Sequence, residues 1–493
     1  MFNFFNFILN IKLFNFFIFT LNKHKTMKTF FNYARIAIIA IAFTGIISCG
    51  DDDDNGNVID NTPSNTIADI VTNNPDFSSL LGALQQTGLD ATLSGSGNFT
   101  VFAPTNTAFD AFLGGTALED IDNDALTQIL LNHVLNVELM STDLTTGYQK
   151  NLATEASTNA SIDMYIDTTT GVVINGQSTV TTADVDADNG IIHIVDTVID
   201  LPTIVTFATT NPALSSLVAA LTDEGNTTFV DLLSDTDGDF TVFAPTNDAF
   251  TTFLDGAMLS DVNNDVLTQV LSNHVIPGTV AISTALSNSY VSTAAVFNGD
   301  ADASISMYIN TDSGVTLNGV SNVAQADIVA VNGVVHVVDT VIGLPDVTTF
   351  AIADPTFSSL VAALTADASF GYVAALQTPN GTDPAPFTVF APTNDAFAAL
   401  LTDLGLTALD EVPVGVLAAT LELHVVPAAN VRAEDLAGID GTAVTTLGGG
   451  DITIDATTPA IIDPDGGSNE IIVTNVQAVN GVIHAINRVI RDL

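Results

Sequence analysis

The sequence predicts an α+β protein built from three tandem domains, and three observations carry that reading. The phrase Phe-Thr-Val-Phe-Ala-Pro-Thr-Asn occurs three times, starting at Phe99, Phe240 and Phe387. The starts lie 141 and 147 residues apart, too far for a solenoid unit of about 20–50 residues and right for a whole domain. Each copy is followed by the same landmarks in the same order: a helical stretch closing on a histidine, then an Asn-Gly pair leading into an apolar run with a second histidine. Strand-like and helix-like patterns mix without regular alternation, which indicates α+β rather than α/β.

The order within a unit follows from local chemistry. Phe240 to Ala244 is β-branched and aromatic, as a strand requires. Pro245 ends it, and Thr246 can cap a following helix whose first turn holds Asp248. Phe250, Phe253 and Leu254 then share one face. The first copy has Thr107 where the others have Asp248 and Asp395. In the next helix Val266, Leu267, Val270, Leu271 and His274 share a face, as do Ala125, Leu126, Ile129, Leu130 and His133. The Asn189-Gly190, Asn332-Gly333 and Asn480-Gly481 pairs read as hairpin turns. They place His193, His336 and His484 on the outgoing strand. Asn74-Pro75, Asn211-Pro212 and Asp354-Pro355 announce an opening helix in each unit. Leu201-Pro202 and Leu344-Pro345 end a unit, the next helix follows within about ten residues, and no Gly/Ser-rich linker intervenes. The units are therefore expected to form a semi-rigid chain.

Two segments precede the repeats. Residues 1–26 are a low-complexity mix read as a non-native leader or mis-assigned start, with Met27 as the true beginning. Residues 27–48 have a basic start, an apolar run from Ile36 to Ile47 and a small residue at the end, the pattern of a secretory signal peptide. The run is too short to span a bilayer, which takes about 20 residues. Gly45-Ile46-Ile47-Ser48-Cys49 resembles a bacterial lipobox, with Ile46 in place of the usual leucine. That resemblance implies acylation of Cys49, the only cysteine. Residues 49–66 open with Asp51 to Asp54 and read as an acidic tether. The acidic run after a lipidated cysteine resembles the export signal of surface lipoproteins in Bacteroidetes-type bacteria. It implies an outer-membrane, lipid-anchored location facing the cell exterior. The remaining segments are 67–202, 203–345 and 346–493.

Charge excludes some functions. The formal net charge is −47. Beyond Ser48 only Lys150, Arg432, Arg488 and Arg491 stand against all 56 acidic residues. Such a surface repels phosphate backbones and anionic lipid, so nucleic acid is not expected as a partner and membrane contact is expected through the lipid anchor alone.

At this point the motifs resemble a known family. Phe-Thr-Val-Phe-Ala-Pro-Thr-Asn-Asp-Ala-Phe, a later Leu-x-x-His-Val and Asn-Gly-Val-Ile-His look like the two signature motifs and central histidine of fasciclin-like domains. The resemblance covers all three repeats. It implies a β-wedge or sandwich packed against a cluster of helices in each, and a role in cell adhesion, matrix attachment or biofilm association. One departure limits the transfer. The family often has Tyr before the central histidine, a pair linked to adhesion in animal members, whereas here Asn132, Asn273 and Leu423 stand there. Integrin-type recognition is not carried over.

Two residue sets are candidate sites. His133, His193, His274, His336, His424 and His484 could be metal ligands or acid–base groups, and His336 with Asp339 would form a site if they converged. Their apolar surroundings favour buried histidines that donate to backbone carbonyls. Asp120, Asp122 and Asp124, then Asp184, Asp186 and Asp188, then Asp235, Asp237 and Asp239, have the one-three-five spacing of calcium loops. They lack the sixth-position glycine and twelfth-position glutamate, and Asp186 and Asp188 align with Val329 and Val331. Ordinary turn acids are the preferred reading, with weak calcium binding left open and no metal or cofactor expected. No nucleophile elbow or phosphate-binding glycine loop is present, so no enzyme activity is expected.

The sequence thus points to a surface lipoprotein whose tandem modules mediate cell–cell, matrix or biofilm association. Its partner would be a cell-surface or matrix protein, a polysaccharide, or a second copy in homophilic contact. The alternative is a polysaccharide-binding or nutrient-capture lipoprotein.

Overall fold

The structure is a computed structural model that describes residues 65–223 and 228–492. The leader, signal peptide, Cys49 and almost all of the tether lie outside the described residues. Within residues 65–492 the α+β reading holds: there are three seven-stranded sheets, one per repeat, each with its own helices.

In the first repeat the sheet runs, in spatial order, Val134–Leu135, Phe99–Pro104, Gly190–Val195, Ser178–Ala187, Val173–Ile174, Ser161–Asp167, Gly147–Thr154. The repeated phrase forms the strand Phe99–Pro104, buried along its whole length. It pairs in parallel with Gly190–Val195 and antiparallel with Val134–Leu135. Its side chains alternate between two cores. Phe99, Val101 and Ala103 face the helices, with Phe77, Leu80, Phe109 and Leu126. Phe102 faces the other way and meets Met164, Ile166 and Ile174, which come from the far half of the same sheet. The sheet therefore doubles over on itself, giving a β-sandwich with helices on one outer face. The second and third repeats repeat this arrangement, with Phe243 and Phe390 in the place of Phe102.

The rest of the phrase fixes the helices. Thr105, Thr246 and Thr393 are N-caps that accept from Ala108, Ala249 and Ala396 N–H. Asn106 Oδ1 accepts from Ser79 N–H at 2.9 Å and its Nδ2 donates to Pro75 O at 2.9 Å, tying this helix to the preceding one. Asn247 and Asn394 make the same two bonds.

Three details differ from the sequence reading. First, each repeat opens one helix earlier than expected: Ile67–Asn73, Ile204–Thr210 and Val347–Ala353 precede the proline turns, capped by Thr66, Thr203 and Asp346. The stretch read as a connection is thus itself a helix. Second, Val266 is 48% exposed and Ala125 is exposed, so the apolar face of the histidine-bearing helix is narrower than its pattern. Third, the hairpin turns on Asp188-Asn189, because Ala187 pairs with Gly190. Gly190 is needed for another reason. A Cβ there would lie 2.0 Å from Phe99 O, and the residue sits at φ +149°. Gly333 and Gly481 meet Phe240 O and Phe387 O at 2.1 and 2.3 Å in the same way.

The repeats pack directly on one another. Tyr148 and Tyr165 of the first repeat join the core of the second, with Tyr148 edge-on to Phe207 at 5.4 Å between ring centroids. Tyr290 and Tyr308 do the same against Phe350 of the third, at 5.6 Å from Tyr290. Val329, Val331, Ile162 and Ala153 form a second apolar contact at the first junction. At this junction Val331 N–H donates to Pro202 O at 2.9 Å, and at the next Val479 N–H donates to Pro345 O at 2.9 Å. The alignment of Asp186 and Asp188 with Val329 and Val331 is thereby explained. The valines lie at a junction, whereas the two aspartates at the matching places in the first repeat are exposed among the described residues.

Candidate functional site

The six histidines fall into two structural classes. His133, His274 and His424 follow the last turn of the second long helix and are nearly completely buried. Each Nδ1 lies 2.7 Å from the carbonyl four residues back, at Ile129, Val270 and Thr420. A carbonyl only accepts, so Nδ1 carries the proton. Each Nε2 then accepts a backbone N–H from the strand-end segment across the core: Ile199 at 2.8 Å, Ile342 at 2.9 Å and Ile490 at 3.0 Å. Burial lowers the pKa of all three to about 4, opposed by the carbonyl bond. They are neutral at physiological pH, as their accepting Nε2 requires.

His193, His336 and His484 use the opposite tautomer. Their Nε2 donates to Leu139, Ala281 and Val431 O at 3.0, 2.9 and 2.9 Å. Their Nδ1 faces the N–H of Asp184, Asp327 and Asn475 at 3.3, 3.3 and 3.5 Å. Each ring lies against a phenylalanine of the repeated phrase, Phe102, Phe243 or Phe390. Burial again lowers their pKa values, against the carbonyl bonds. Both nitrogens of every one of these rings are therefore engaged by backbone. The carboxylate beside His336 is Asp327, 4.0 Å away. Asp339 bonds Asn322 and Thr340 instead.

The aspartates are spread over ordinary local tasks. Asp122 caps a helix, accepting from Asp124 and Ala125 N–H. Asp184 accepts Ser141 N–H at 2.7 Å and Ser141 Oγ at 2.6 Å, which with the backbone bond lowers its pKa. Asp188 accepts Asn65 N–H at 2.7 Å and Asp235 accepts Asp237 N–H at 3.0 Å. Asp120 lies in a 3-10 turn, Asp186 is on the strand Ser178–Ala187, and Asp239 precedes the strand Phe240–Pro245. Among the described residues no group of three or more His, Cys, Asp or Glu is arranged to hold a metal ion.

The position before the central histidine is buried in every repeat: 0% exposed at Asn132, 0% at Asn273 and 6% at Leu423. Asn132 Nδ2 donates to Ile199 and Asp200 O at 3.1 and 3.0 Å, and its Oδ1 accepts from Asn151 at 2.7 Å. These residues face the core.

Sequence reasoning missed the junction residues. Tyr290 Oη donates to Asp354 Oδ2 at 2.9 Å, and Asn211 Nδ2 donates to Tyr148 Oη at 3.1 Å. Two of the four basic residues beyond Ser48 also bridge repeats. Lys150 donates to Asp327 O at 2.7 Å, and Arg432 Nη1 donates to Asp302 O. The signal was present in Met-Tyr-Ile at 164–166 and 307–309, which has no counterpart in Ile-Thr-Ile at 452–454 of the last repeat. Asn189 does more than make a turn. Its Oδ1 accepts Ile67 N–H at 2.9 Å and its Nδ2 donates to Leu93 and Gly95 O at 2.8 and 2.7 Å, and Asn332 and Asn480 do likewise.

Three helix-and-sandwich domains with saturated internal histidines define a modular array without an evident reaction centre among the described residues. The Fasciclin domain model matches residues 75–202, 212–345 and 355–492, and the chain belongs to the Fasciclin domain family. It is similar to human periostin, at 31% identity over 62% of this chain and 35% of periostin. It is also similar to Protein sll1483 of Synechocystis sp., at 39% identity over 27% of this chain and 72% of that protein. Among solved structures it is similar to a FAS1 domain pair from the insect cell adhesion molecule Fasciclin I, at 18% identity and a TM-score of 0.37, covering 54% of this chain and 96% of that one.

Proposed function

We propose that this chain is a non-enzymatic adhesion protein of the cell surface, secreted through residues 27–48 and held in the outer membrane by lipid on Cys49. The observation that carries the reading is the junction. Three Fasciclin domains are joined through tyrosine–phenylalanine contacts at the edges of their cores, so their outer surfaces are presented in a fixed relation. Linked weak contacts of this kind gain about 10²–10⁴ in avidity when geometry lets them engage together. The histidines supply internal scaffolding, since their polar atoms are already committed to backbone. The acidic exterior keeps the array apart from anionic lipid while the anchor holds it near the membrane.

Deleting the gene and scoring cell clumping and surface attachment tests this. Loss of attachment, restored by the intact gene, is expected. Unchanged attachment would rule the reading out. A Cys49→Ser chain is expected in the medium rather than the membrane fraction.

A further inference from the structure

Three cavities stand out among the described residues. Two lie under the helices of the second and third repeats, hold about 40 and 30 Å³, and are walled by core side chains. They are gaps in packing, too small for a ligand. The third differs in size and chemistry. It is a cleft of about 530 Å³ between the first and second repeats, open to solvent. That volume falls in the range of small-molecule sites, about 300–1,000 Å³, and domain boundaries are where such sites concentrate.

Its lining is specific. Asn136, Gln149 and Gln325 bring three side-chain amides from three separate segments. None of the three makes a side-chain hydrogen bond among the described residues. Each offers two N–H donors and a carbonyl acceptor. Lys150 is the only lysine of the described chain. Its Nζ lies 2.6 Å from Asp163 Oδ2, on a carboxylate side chain only 5% exposed. Asp163 in turn accepts Val329 N–H at 2.6 Å. A fixed donor–acceptor pair thus forms part of the wall, anchored to both repeats. Tyr148 and the 43%-exposed Val137 add apolar surface beside it.

We infer that this cleft is a binding site for a neutral saccharide. The inference rests on the adhesion reading and names a ligand class for it. Sugar hydroxyls donate and accept at once, which matches free amides and a paired ammonium–carboxylate. The C–H faces of a sugar suit Tyr148 and Val137. Charge selects against anions: Asp163 already neutralises Lys150, Asp327 lies alongside, and the whole chain is at −47. An extended peptide fits less well. Adding a strand needs a regular unpaired edge, and the edge strand Gly147–Thr154 is interrupted by a bulge between Lys150 and Thr154. The site belongs to the first junction alone. At the second, Ser292 and Ser306 replace Lys150 and Asp163, and Val291 and Val473 replace Gln149 and Gln325.

The test uses the whole chain and an Asn136→Ala/Gln325→Ala variant on an array of neutral and uronate-bearing polysaccharides and peptides. Neither residue has a side-chain partner, so the thermal midpoint is expected to stay put. The intact chain is expected to retain neutral glycans, and the variant to bind them at least about tenfold more weakly. Absence of neutral-glycan binding, equal binding by both proteins, or preference for uronates or peptides would overturn the inference. Cell attachment separates this site from the broader reading. Attachment that persists in the variant while glycan binding is lost leaves the site standing and puts adhesion elsewhere. Attachment unchanged by deleting the gene removes the adhesion reading without touching the site.

Discussion

The Tyr290 hydroxyl donates to Asp354 Oδ2 at 2.9 Å, across the boundary between the second and third repeats. Burial and the nearby carboxylate both raise the pKa of this phenol, so it is a donor at physiological pH. Its ring lies edge-on to Phe350. The corresponding place in the first repeat is Ile70 rather than phenylalanine. Tyr290→Phe removes one hydrogen bond and is expected to cost about 1 kcal/mol. Tyr290→Ala also removes the ring and is expected to cost about 3 kcal/mol. The measurement is chemical denaturation, in which the alanine variant should also split unfolding of the third repeat from the rest.

Val329 tests the first junction from the other side. It is buried beside Ile162, and its N–H is bonded to Asp163. Val329→Asp places the residue type found at Asp186 into this apolar contact, next to an existing carboxylate. An unpaired buried charge of this kind costs about 3 kcal/mol or more. Small-angle scattering should show a larger radius of gyration than the parent, with each repeat still folded by circular dichroism.

The buried central histidines make stability depend on pH. Their folded pKa values are lowered to about 4 from an ordinary 6.5. Between those values the unfolded chain takes up protons that the folded chain refuses. Stability is therefore fully present above about pH 6.5 and falls as pH drops toward 4, by about 1.4 kcal/mol per histidine per pH unit. His274→Gln is expected to destabilise by about 2–4 kcal/mol at pH 7, because Val270 O and Ile342 N–H lose a ring that spans both. Its melting midpoint should fall less steeply with acid than the parent's.

Gly333 carries a backbone constraint that can be measured alone. Gly333→Ala puts a methyl 2.1 Å from Phe240 O at φ +149°. The parallel strands must separate, at an expected cost of about 2–4 kcal/mol. Thermal melts should show it, and Gly343→Ala, which meets nothing within 4 Å, serves as the control.

What the sequence made legible was whatever repeats and is satisfied within one repeat. The strand Phe240–Pro245, the Thr246 cap and the histidine-bearing helix follow from β-propensity, capping and periodicity. The opening helix Ile204–Thr210 was hidden by its composition. Three threonines with Ile, Val and Phe are poor helix formers, and the helix depends on the Thr203 cap and the Asn332 bond to Ile204 N–H. Tyr148 and Tyr290 were invisible as functional residues because their partners lie in the following repeat. The contrast between Asp186 and Val329 was visible in one dimension, but only packing shows that one faces solvent and the other a neighbour.

Bead attachment measures directly whether the three joined repeats adhere to cells. Beads carrying the intact chain, beads carrying Tyr148→Ala/Tyr290→Ala and bare beads would be compared for binding to living cells. Firm attachment by the intact chain, loss of most of it when the junctions are loosened, and none by bare beads are expected. Intact-chain beads that adhere no better than bare ones would contradict adhesion by the joined repeats.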